Sequence, residues 1–210
     1  MEKEYKLSCP DGFEPDAFWA YLGVTPSEIE IHALYFDTQD ELLHSNHAAF
    51  RFRSEGSKKV AAVKAKPDKS GEEGGFFARY EWETEADTWQ EGLEALLSII
   101  ELPSVRDLLE RARQEGFIIQ TETHFTRQFA PVLRGGTAFC AAFDRGTLGL
   151  APPMPFSEVE LELMSGPEEG LAEVMRDLSA RFGLSPQRQS KLERALSRRK
   201  GRQGNGGTVE

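Results

Sequence analysis

The N-terminal segment MEKEYKL places two carboxylates and an ammonium group at alternate positions, Glu2, Glu4 and Lys6. In a β-strand, residues two apart point to the same face, so these three side chains would lie on one side. Carboxylate oxygens bind hard divalent cations, and ammonium groups bind phosphate oxygens. The same spacing is also typical of a solvent-exposed edge strand, where Lys and Glu are common. The two interpretations differ in whether other strands repeat the pattern.

Several later segments do repeat this alternation of ionic and apolar residues. The segment FSEVELELM places Glu158, Glu160 and Glu162 on one face and hydrophobic residues on the other. An ordinary half-buried strand alternates apolar and polar residues without sorting the polar ones by charge. Further ionic faces are predicted from Arg51 and Arg53 in FRFR, Lys64 in VAAVKAKP, and Arg79, Glu81 and Glu83 in RYEWETE. HFTRQF is mixed, because Arg127 shares a side with Phe125 and Phe129, and AAFDRG ends its strand with Asp144.

Strand faces of a single charge sign need counter-charges if they are enclosed. Neighbouring carboxylates on one face stand about 7 Å apart and repel each other by roughly 2 kcal/mol at an effective dielectric constant of about 20. Enclosed acidic strands therefore need cations, and enclosed basic strands need an anion. A tunnel that holds a divalent metal ion and a phosphate chain meets both needs. Oxygen-only ligands suit Mg²⁺ or Mn²⁺, and Arg and Lys at several depths suit a phosphate chain.

The elements that must position these residues are eight predicted strands. Their number and the turn-like stretches between them, such as PDKSGEEGG, favour an antiparallel meander closed into a barrel. We therefore predict a mainly β, α+β fold with helices packed outside an eight-stranded closed barrel. The predicted strands are Glu2–Leu7, Ile29–Asp37, Ala48–Arg53, Lys59–Lys66, Phe77–Glu85, Phe117–Phe129, Ala138–Asp144 and Glu158–Met164.

Helical periodicity appears in four segments. These are Pro15–Leu22, Trp89–Glu115 with an interruption near Pro103, Glu168–Phe182 and Gln187–Arg199. The Gly-rich, polar end of the chain predicts a folded domain over residues 1–197 and a disordered tail over residues 198–210.

The composition limits the class of partner. A net charge of −10 over 210 residues argues against nucleic acid or an acidic membrane as a partner, but allows an anionic ligand in a local basic pocket. The charged N-terminus does not resemble a signal peptide, and no apolar run approaches membrane-spanning length. Cys9 and Cys140 match neither a metal-binding spacing nor a disulfide framework, which favours reduced thiols and a cytoplasmic location. The oligomeric state, monomer or homodimer, stays open.

These motifs, taken in order, resemble the CYTH superfamily of triphosphate tunnel metalloenzymes. The likeness extends from Glu2 to about Leu196. LYFDTQDELL resembles the Tyr-x-Asp-Thr segment of that family, AAFRFR its Arg-x-Arg strand, AVKAKP its lysine strand, VELELMSG its acidic closing strand, and QSKLERAL the Ser-Lys-x-x-Arg of its covering helix. GGFFARYEWE, TETHFTRQF and AAFDRGTLG with SEVELELMSG resemble bacterial inorganic triphosphatases. Phe125 stands where many relatives have Lys.

The resemblance implies metal-dependent hydrolysis of inorganic triphosphate to pyrophosphate and phosphate, with Mg²⁺ or Mn²⁺ as the cofactor. The implied metal ligands are Glu2, Glu4, Glu160 and Glu162, with Glu158 as a further member. Glu81, Glu83 and Asp144 would hold a second metal ion or orient the attacking water.

The implied partner is a small-molecule triphosphate. Its phosphates would be bound and neutralised by Lys6, Arg51, Arg53, Lys64, Arg79 and Arg127. Lys191 and Arg194 would reach in from the last helix, although ordinary solvent-exposed helix charge explains them equally well.

Three other functions stay open: a thiamine triphosphatase, a class IV-type adenylate cyclase, and a non-catalytic binder of polyphosphate or a nucleotide. Phe50, Phe52, Tyr80 and Trp82 are predicted to lie in the outer core under the helices. Such placement weighs against a base-stacking surface for a nucleotide. The four histidines, His32, His44, His47 and His124, follow no consistent pattern and are interpreted as structural or exposed.

Overall fold

The alternating segments form antiparallel strands in a computed structural model that describes residues 1–67, 75–150 and 152–203, with side chains described up to residue 197. The turn predicted within PDKSGEEGG falls mostly on residues outside these ranges. The strands are β1 (Glu2–Ser8), β2 (Ser27–Asp37), β3 (Ala48–Glu55), β4 (Lys58–Ala65), β5 (Phe76–Glu85), β6 (Ile118–Arg134), β7 (Thr137–Leu148), β8 (Met154–Ser165) and β9 (Ser185–Pro186). The helices are α1 (Pro15–Leu22), α2 (Leu42–Ser45), α3 (Trp89–Ile99), α4 (Pro103–Glu115), α5 (Glu168–Phe182) and α6 (Lys191–Gln203).

Eight of these strands close into a barrel. The sheet order is β5-β4-β3-β2-β6-β7-β8-β1, and β1 also pairs with β5. Closure depends on β1, which pairs with β5 through Glu2–Tyr5 and with β8 through Glu4–Ser8. Closing the sheet satisfies edge hydrogen bonds that an open sheet would leave unpaired. The predicted eight-stranded antiparallel barrel is confirmed.

The apolar strand faces pack outward against the helices in two clusters. Leu7, Val159 and Leu161 from the barrel contact Leu171 and Leu178 of α5 in the first cluster. The second cluster joins strands β2, β3 and β4 to α2, α3 and α4, and includes Phe50 and Val63 with Leu96 and Leu109. Because alternate residues point to opposite faces, this outward packing leaves the ionic residues facing the interior.

The long helical segment predicted over Trp89–Glu115 forms two helices. Thr88 starts α3 with a capping box, in which its Oγ1 accepts from the Glu91 backbone N–H at 3.3 Å and the Glu91 carboxylate accepts from the Thr88 N–H at 3.2 Å. Pro103 occupies the first turn of α4, where the missing N–H leaves no hydrogen bond unmade.

The last helix starts later and ends later than predicted. It begins at Lys191 because the preceding residues run along β1 instead, with Pro186 of β9 opposite Leu7 and the Gln187 N–H donating to the Lys6 carbonyl at 2.8 Å. It continues to Gln203, so the predicted tail is helical over residues 198–203, and residues 204–210 lie outside the described ranges. Within the described residues, no helix is both long and apolar enough to cross a bilayer.

Candidate active site in the barrel interior

A cavity of about 190 Å³ occupies the barrel interior and is lined by seven strands and the start of α6. Its lining contains most of the residues that the sequence predicts for the site. Only Asp144, Glu158 and Arg194 of that set are outside the lining: Asp144 and Glu158 contact the lining residue Lys191, and Arg194 contacts Glu158. The charged lining residues are Glu2, Glu4, Lys6, Arg51, Arg53, Lys64, Arg79, Glu81, Glu83, Arg127, Glu160, Glu162 and Lys191.

Asp144, Glu158 and Glu160 form the inner carboxylate cluster. Antiparallel pairing of β7 with β8 sets Asp144 directly opposite Glu158, and Glu160 follows two residues later on the same face. One carboxylate oxygen from each residue lies within 4.8 Å of the other two, and all three side chains are buried. The sequence-based interpretation grouped Asp144 with Glu81 and Glu83, whereas the structure places it with Glu158 and Glu160.

Two cations from different elements each pair with more than one member of the inner carboxylate cluster. Arg127 of β6 donates to both oxygens of Asp144 at 2.7 Å each and to Glu160 at 2.5 Å. Lys191 of α6 lies 2.7 Å from Asp144 and 3.0 Å from Glu160, and also contacts Glu158. Lys191 therefore lies inside the barrel.

Arg194, one turn further along α6, completes this arrangement. Its guanidinium contacts Glu158, which is fully buried. The solvent-exposed interpretation of Lys191 and Arg194 is therefore wrong, because α6 closes over the barrel interior and leaves Lys191 only 8% exposed. A capping box between Ser190 and Glu193 fixes the start of this helix.

Lys6 connects the inner carboxylate cluster to the opening strand. Its ammonium group lies 2.5 Å from Glu160 and 2.7 Å from Glu4. Burial alone would lower the pKa of Lys6, but Glu160 and Glu4 outweigh it and raise the pKa above the ordinary value. The same balance holds for Lys191, where Asp144, Glu158 and Glu160 overcome desolvation. Both ammonium groups therefore stay charged inside the barrel.

The opposite wall of the cavity carries a second network of ion pairs. Lys64 lies 2.8 Å from Glu2 and 3.2 Å from Glu81, and Arg51 lies 3.5 Å from Glu81. Glu83 is shared by two arginines, at 3.3 Å from Arg51 and 3.0 Å from Arg53. This wall therefore offers three cations to an anion in the cavity.

The carboxyl groups differ in their pKa values because their surroundings differ. Burial favours the protonated form of Glu160, but Lys191, Lys6 and Arg127 hold its pKa well below the usual range. Burial raises the pKa of Glu158 despite its cationic partners. Burial, Glu2 and Glu4 raise the pKa of Glu162 to about 7. Negative charge is thus balanced around Glu160 and in excess around Glu162.

The pKa of Glu4 is also raised, first by burial and then by Glu160 and Glu2, against the attraction of Lys6. We call Glu2, Glu4 and Glu162 the outer carboxylates. Together with the inner carboxylate cluster they form an oxygen-only set with excess negative charge, which is the donor chemistry that Mg²⁺ and Mn²⁺ prefer.

Sequence reasoning missed two polar residues of the cavity wall. Tyr35 of β2 lies opposite Arg51 of β3 and is 7% exposed, and Ser190 lines the cavity at the start of α6. Tyr35 alternates with Ile31 and Ala33 on the cavity-facing side of β2, so strand parity together with the pairing to Arg51 places it there. The position of Ser190 depends on the fold of the preceding segment.

The histidines lie away from the inner carboxylate cluster and from the acidic residues that line the cavity. His32 and His124 face outward on β2 and β6, where they contact Glu122 and Glu30. His44 and His47 border a neighbouring cavity of about 60 Å³.

The sequence profile of the CYTH domain matches residues 1–196. The chain belongs to the CYTH domain family. The resemblance drawn from the motifs is therefore confirmed. A search of curated proteins finds no significant match.

Solved structures with the same architecture include three that cover nearly the whole CYTH domain. HpAC1 from Hippeastrum, provisionally assigned as an adenylyl cyclase and reported to have a dominant triphosphatase activity, has a TM-score of 0.68 at 23% identity, covering 96% of both chains. A Bacillus halodurans protein provisionally assigned as an adenylate cyclase has a TM-score of 0.58 at 15% identity, covering 90% of this chain and 96% of its own. PH1819 from Pyrococcus horikoshii has a TM-score of 0.53 at 17% identity, covering 93% and 99%. At these identities the likeness establishes the fold.

Proposed function

We propose that this CYTH domain hydrolyses inorganic triphosphate to pyrophosphate and phosphate with the help of Mg²⁺ or Mn²⁺. The observation that carries the proposal is the enclosed cavity with carboxylates and cations on facing walls. Lys6, Arg127 and Lys191 lie on one side, and Arg51, Arg53 and Lys64 lie on the other. A linear polyanion with a bound metal ion would satisfy both sets of charges, whereas one phosphate group would reach only part of them.

A buried donor without a partner supports an anionic ligand. The Nε atom of Arg51, which lines the cavity, is buried and has no hydrogen-bond partner among the described residues. Buried polar groups are nearly always hydrogen-bonded in folded proteins, so such donors indicate a ligand that supplies acceptors. Phosphate oxygens are suitable acceptors for guanidinium groups.

We assign metal binding to Glu4 and Glu162 of the outer carboxylates together with Glu160, since negative charge is in excess at the outer carboxylates whereas Asp144 and Glu158 are already paired with cations. Glu4 lies opposite Glu162 and Lys6 lies opposite Glu160 where β1 pairs with β8. When bound, a divalent cation offsets charge on phosphoryl oxygens and lowers the pKa of a water molecule. Glu2 would join through its position on the same face of β1.

The chain's own cations would stabilise the charge that develops on the leaving pyrophosphate. Without substrate, Arg51, Arg53 and Lys64 are paired with carboxylates, and phosphate oxygens would take the place of those partners. Glu81 and Glu83, held by Arg51 and Arg53, would orient the attacking water. Around the buried Glu160, where the effective dielectric constant is lower than in water, these charge interactions are stronger.

Two observations favour an inorganic triphosphatase over a nucleotide cyclase. Phe50, Phe52 and Trp82 belong to the outer apolar cluster under the helices, so these aromatic rings are unavailable to stack on a base. In addition, HpAC1 is reported to have a dominant triphosphatase activity, and it shares this fold.

The deciding experiment measures phosphate, pyrophosphate and cyclic AMP from tripolyphosphate, thiamine triphosphate and ATP with Mg²⁺ or Mn²⁺. We expect the highest kcat/KM for tripolyphosphate. Glu160→Gln should lose turnover, while Glu173→Gln, on the exposed face of α5, should keep it. Preferred turnover of thiamine triphosphate, or formation of cyclic AMP from ATP, would replace this proposal. Binding of tripolyphosphate without cleavage would favour the non-catalytic binder.

A further inference from the structure

The inward faces of three neighbouring strands change from ionic to apolar at the same level. Where β6, β7 and β8 pair, Arg127, Asp144 and Glu158 form one row across the sheet. Two residues away, the next row on the same face consists of Phe125, Gly146 and Phe156. The charged part of the cavity therefore ends against this apolar row.

Phe125 is packed firmly in that row. It is 7% exposed, and its ring centroid lies 5.7 Å from that of Phe156 in an edge-to-face arrangement. Ile31, Leu148 and Ala195 complete the surrounding apolar cluster. We call Phe125, Phe156 and Leu148 the apolar end wall.

Gly146 makes room for Phe125. A Cβ atom at position 146 would lie 2.5 Å from the Cβ of Phe125 and 2.1 Å from the His124 carbonyl oxygen. Neither distance is possible, so the close approach of β6 to β7 requires glycine here. The backbone of β6 at Phe125 thus lies directly against β7, and the ring of Phe125 packs against Phe156.

Two cations of the charged row and of α6 lie over the ring of Phe125. The Lys191 ammonium lies 5.1 Å from the centroid of Phe125, and the Arg127 guanidinium lies 5.8 Å from it. Both cations also pair with the inner carboxylate cluster. A phosphate group placed beyond Phe125 would lose its hydration and contact apolar rings. Lys191 and Arg127 would not compensate for that loss, because both pair with the inner carboxylate cluster on the other side of the rings.

We propose that Phe125 is a specificity-determining residue that ends the phosphate-binding channel, so that tripolyphosphate is accepted and longer chains are rejected. The inference rests on the proposed function, since it assumes that the phosphate chain lies in this cavity. Phe125 itself lines the cavity, where a fourth phosphate would meet it.

The test compares tripolyphosphate with tetrapolyphosphate in the wild type, Phe125→Lys and Phe125→Leu. We expect the wild type to favour tripolyphosphate by at least tenfold in kcat/KM. Phe125→Lys should shift the tetrapolyphosphate to tripolyphosphate ratio by about tenfold or more towards the longer chain. Phe125→Leu keeps an apolar wall and should leave the ratio close to that of the wild type.

The outcomes separate the two proposals. Wild-type protein that cleaves both chains equally well, or Phe125→Lys protein that cleaves tripolyphosphate with an unchanged ratio, would overturn the end wall alone. Wild-type protein that cleaves neither chain would overturn the hydrolase, and the wall is then tested by calorimetric binding of both chains in Ca²⁺. Equal binding of the two chains there, or binding of neither, would also overturn the wall. If Phe125→Lys fails to fold, Phe125→Gln replaces it with the same expected direction.

Discussion

Glu160 and Glu162 lie two positions apart on the same face of β8 but have opposite electrostatic surroundings. Three cations surround Glu160 and lower its pKa, whereas burial, Glu2 and Glu4 raise the pKa of Glu162 to about 7. Both residues are glutamates on the same face of one strand. The difference between their pKa values therefore arises from the side chains that the neighbouring strands and α6 place around each of them. Excess negative charge is therefore localised at the outer carboxylates.

This localisation predicts that the metal-free protein becomes less stable as pH rises from 5 to 8. In that range the folded protein keeps a proton on Glu162 that the unfolded chain, with a pKa near 4.5, has lost. Stabilisation is therefore complete below about 4.5 and is lost as pH rises through about 7. The measurement is Tm in chelator at several pH values.

Glu162→Gln should flatten this pH profile, and Glu173→Gln should not. The raised pKa of Glu4 acts in the same direction, so part of the slope should remain in Glu162→Gln. A Tm that rises between pH 5 and 8 in the wild type would contradict the assignment.

The strand β1 shows how one element serves both the site and the core. Glu4 and Lys6 face the cavity, while Tyr5 packs outward with its ring 5.0 Å from that of Phe76 and Leu7 is fully buried in the first cluster. The interpretation of this segment as a solvent-exposed edge strand is wrong, because both its neighbours, β5 and β8, are paired to it.

The two faces of β1 predict opposite effects of neighbouring substitutions. Glu4→Gln should reduce triphosphate hydrolysis by on the order of 100-fold or more, because it removes a charged ligand at the site. Its Tm without metal should stay the same or rise, since Glu4 is repelled by Glu160 and Glu2. The measurements are initial rates and thermal melts.

Tyr5→Ser is the matched comparison. It should lower the free energy of unfolding by roughly 1–3 kcal/mol through lost packing, and leave the rate of the folded fraction unchanged. Near-wild-type activity in Glu4→Gln would remove this residue from the site.

For the whole molecule, closure of the barrel creates an interior in which charges are desolvated but paired. Lys6 and Glu160 are 154 positions apart in the chain, and Arg127 and Glu160 are 33 apart, yet both pairs form inside the same cavity. Without a ligand, the negative charges in the cavity are only partly balanced by the positive ones, as the raised pKa values of Glu4 and Glu162 show. The folded protein should therefore gain stability from ligands that carry the missing charges.

We predict that Mg²⁺ or Mn²⁺ raises the Tm and that the gain grows with metal concentration. A ligand at about 100 times its dissociation constant stabilises a folded state by roughly 2.7 kcal/mol. Chelator should abolish both this gain and the hydrolysis of tripolyphosphate. Phosphate release at the full rate in excess chelator would exclude the metal-dependent mechanism.

The sequence by itself determined which residues face the interior. Alternation is a local property of a strand, so Glu2, Glu4, Arg51, Arg53, Lys64 and Glu160 could be assigned to one side without knowledge of the fold. The same alternation predicted eight strands, whose existence and order are confirmed with ends shifted by up to five residues. The motifs were specific enough to predict the CYTH family.

Only the tertiary structure decided which charges meet. Asp144 joins Glu158 because of the register between β7 and β8, and Lys191 enters the barrel because Gln187 follows β1 before α6 begins. Register, strand order and the path of a connecting segment depend on contacts between residues far apart in the chain, and local periodicity does not encode them. Strand parity therefore predicts which residues the site contains, and barrel closure determines which of them pair with each other.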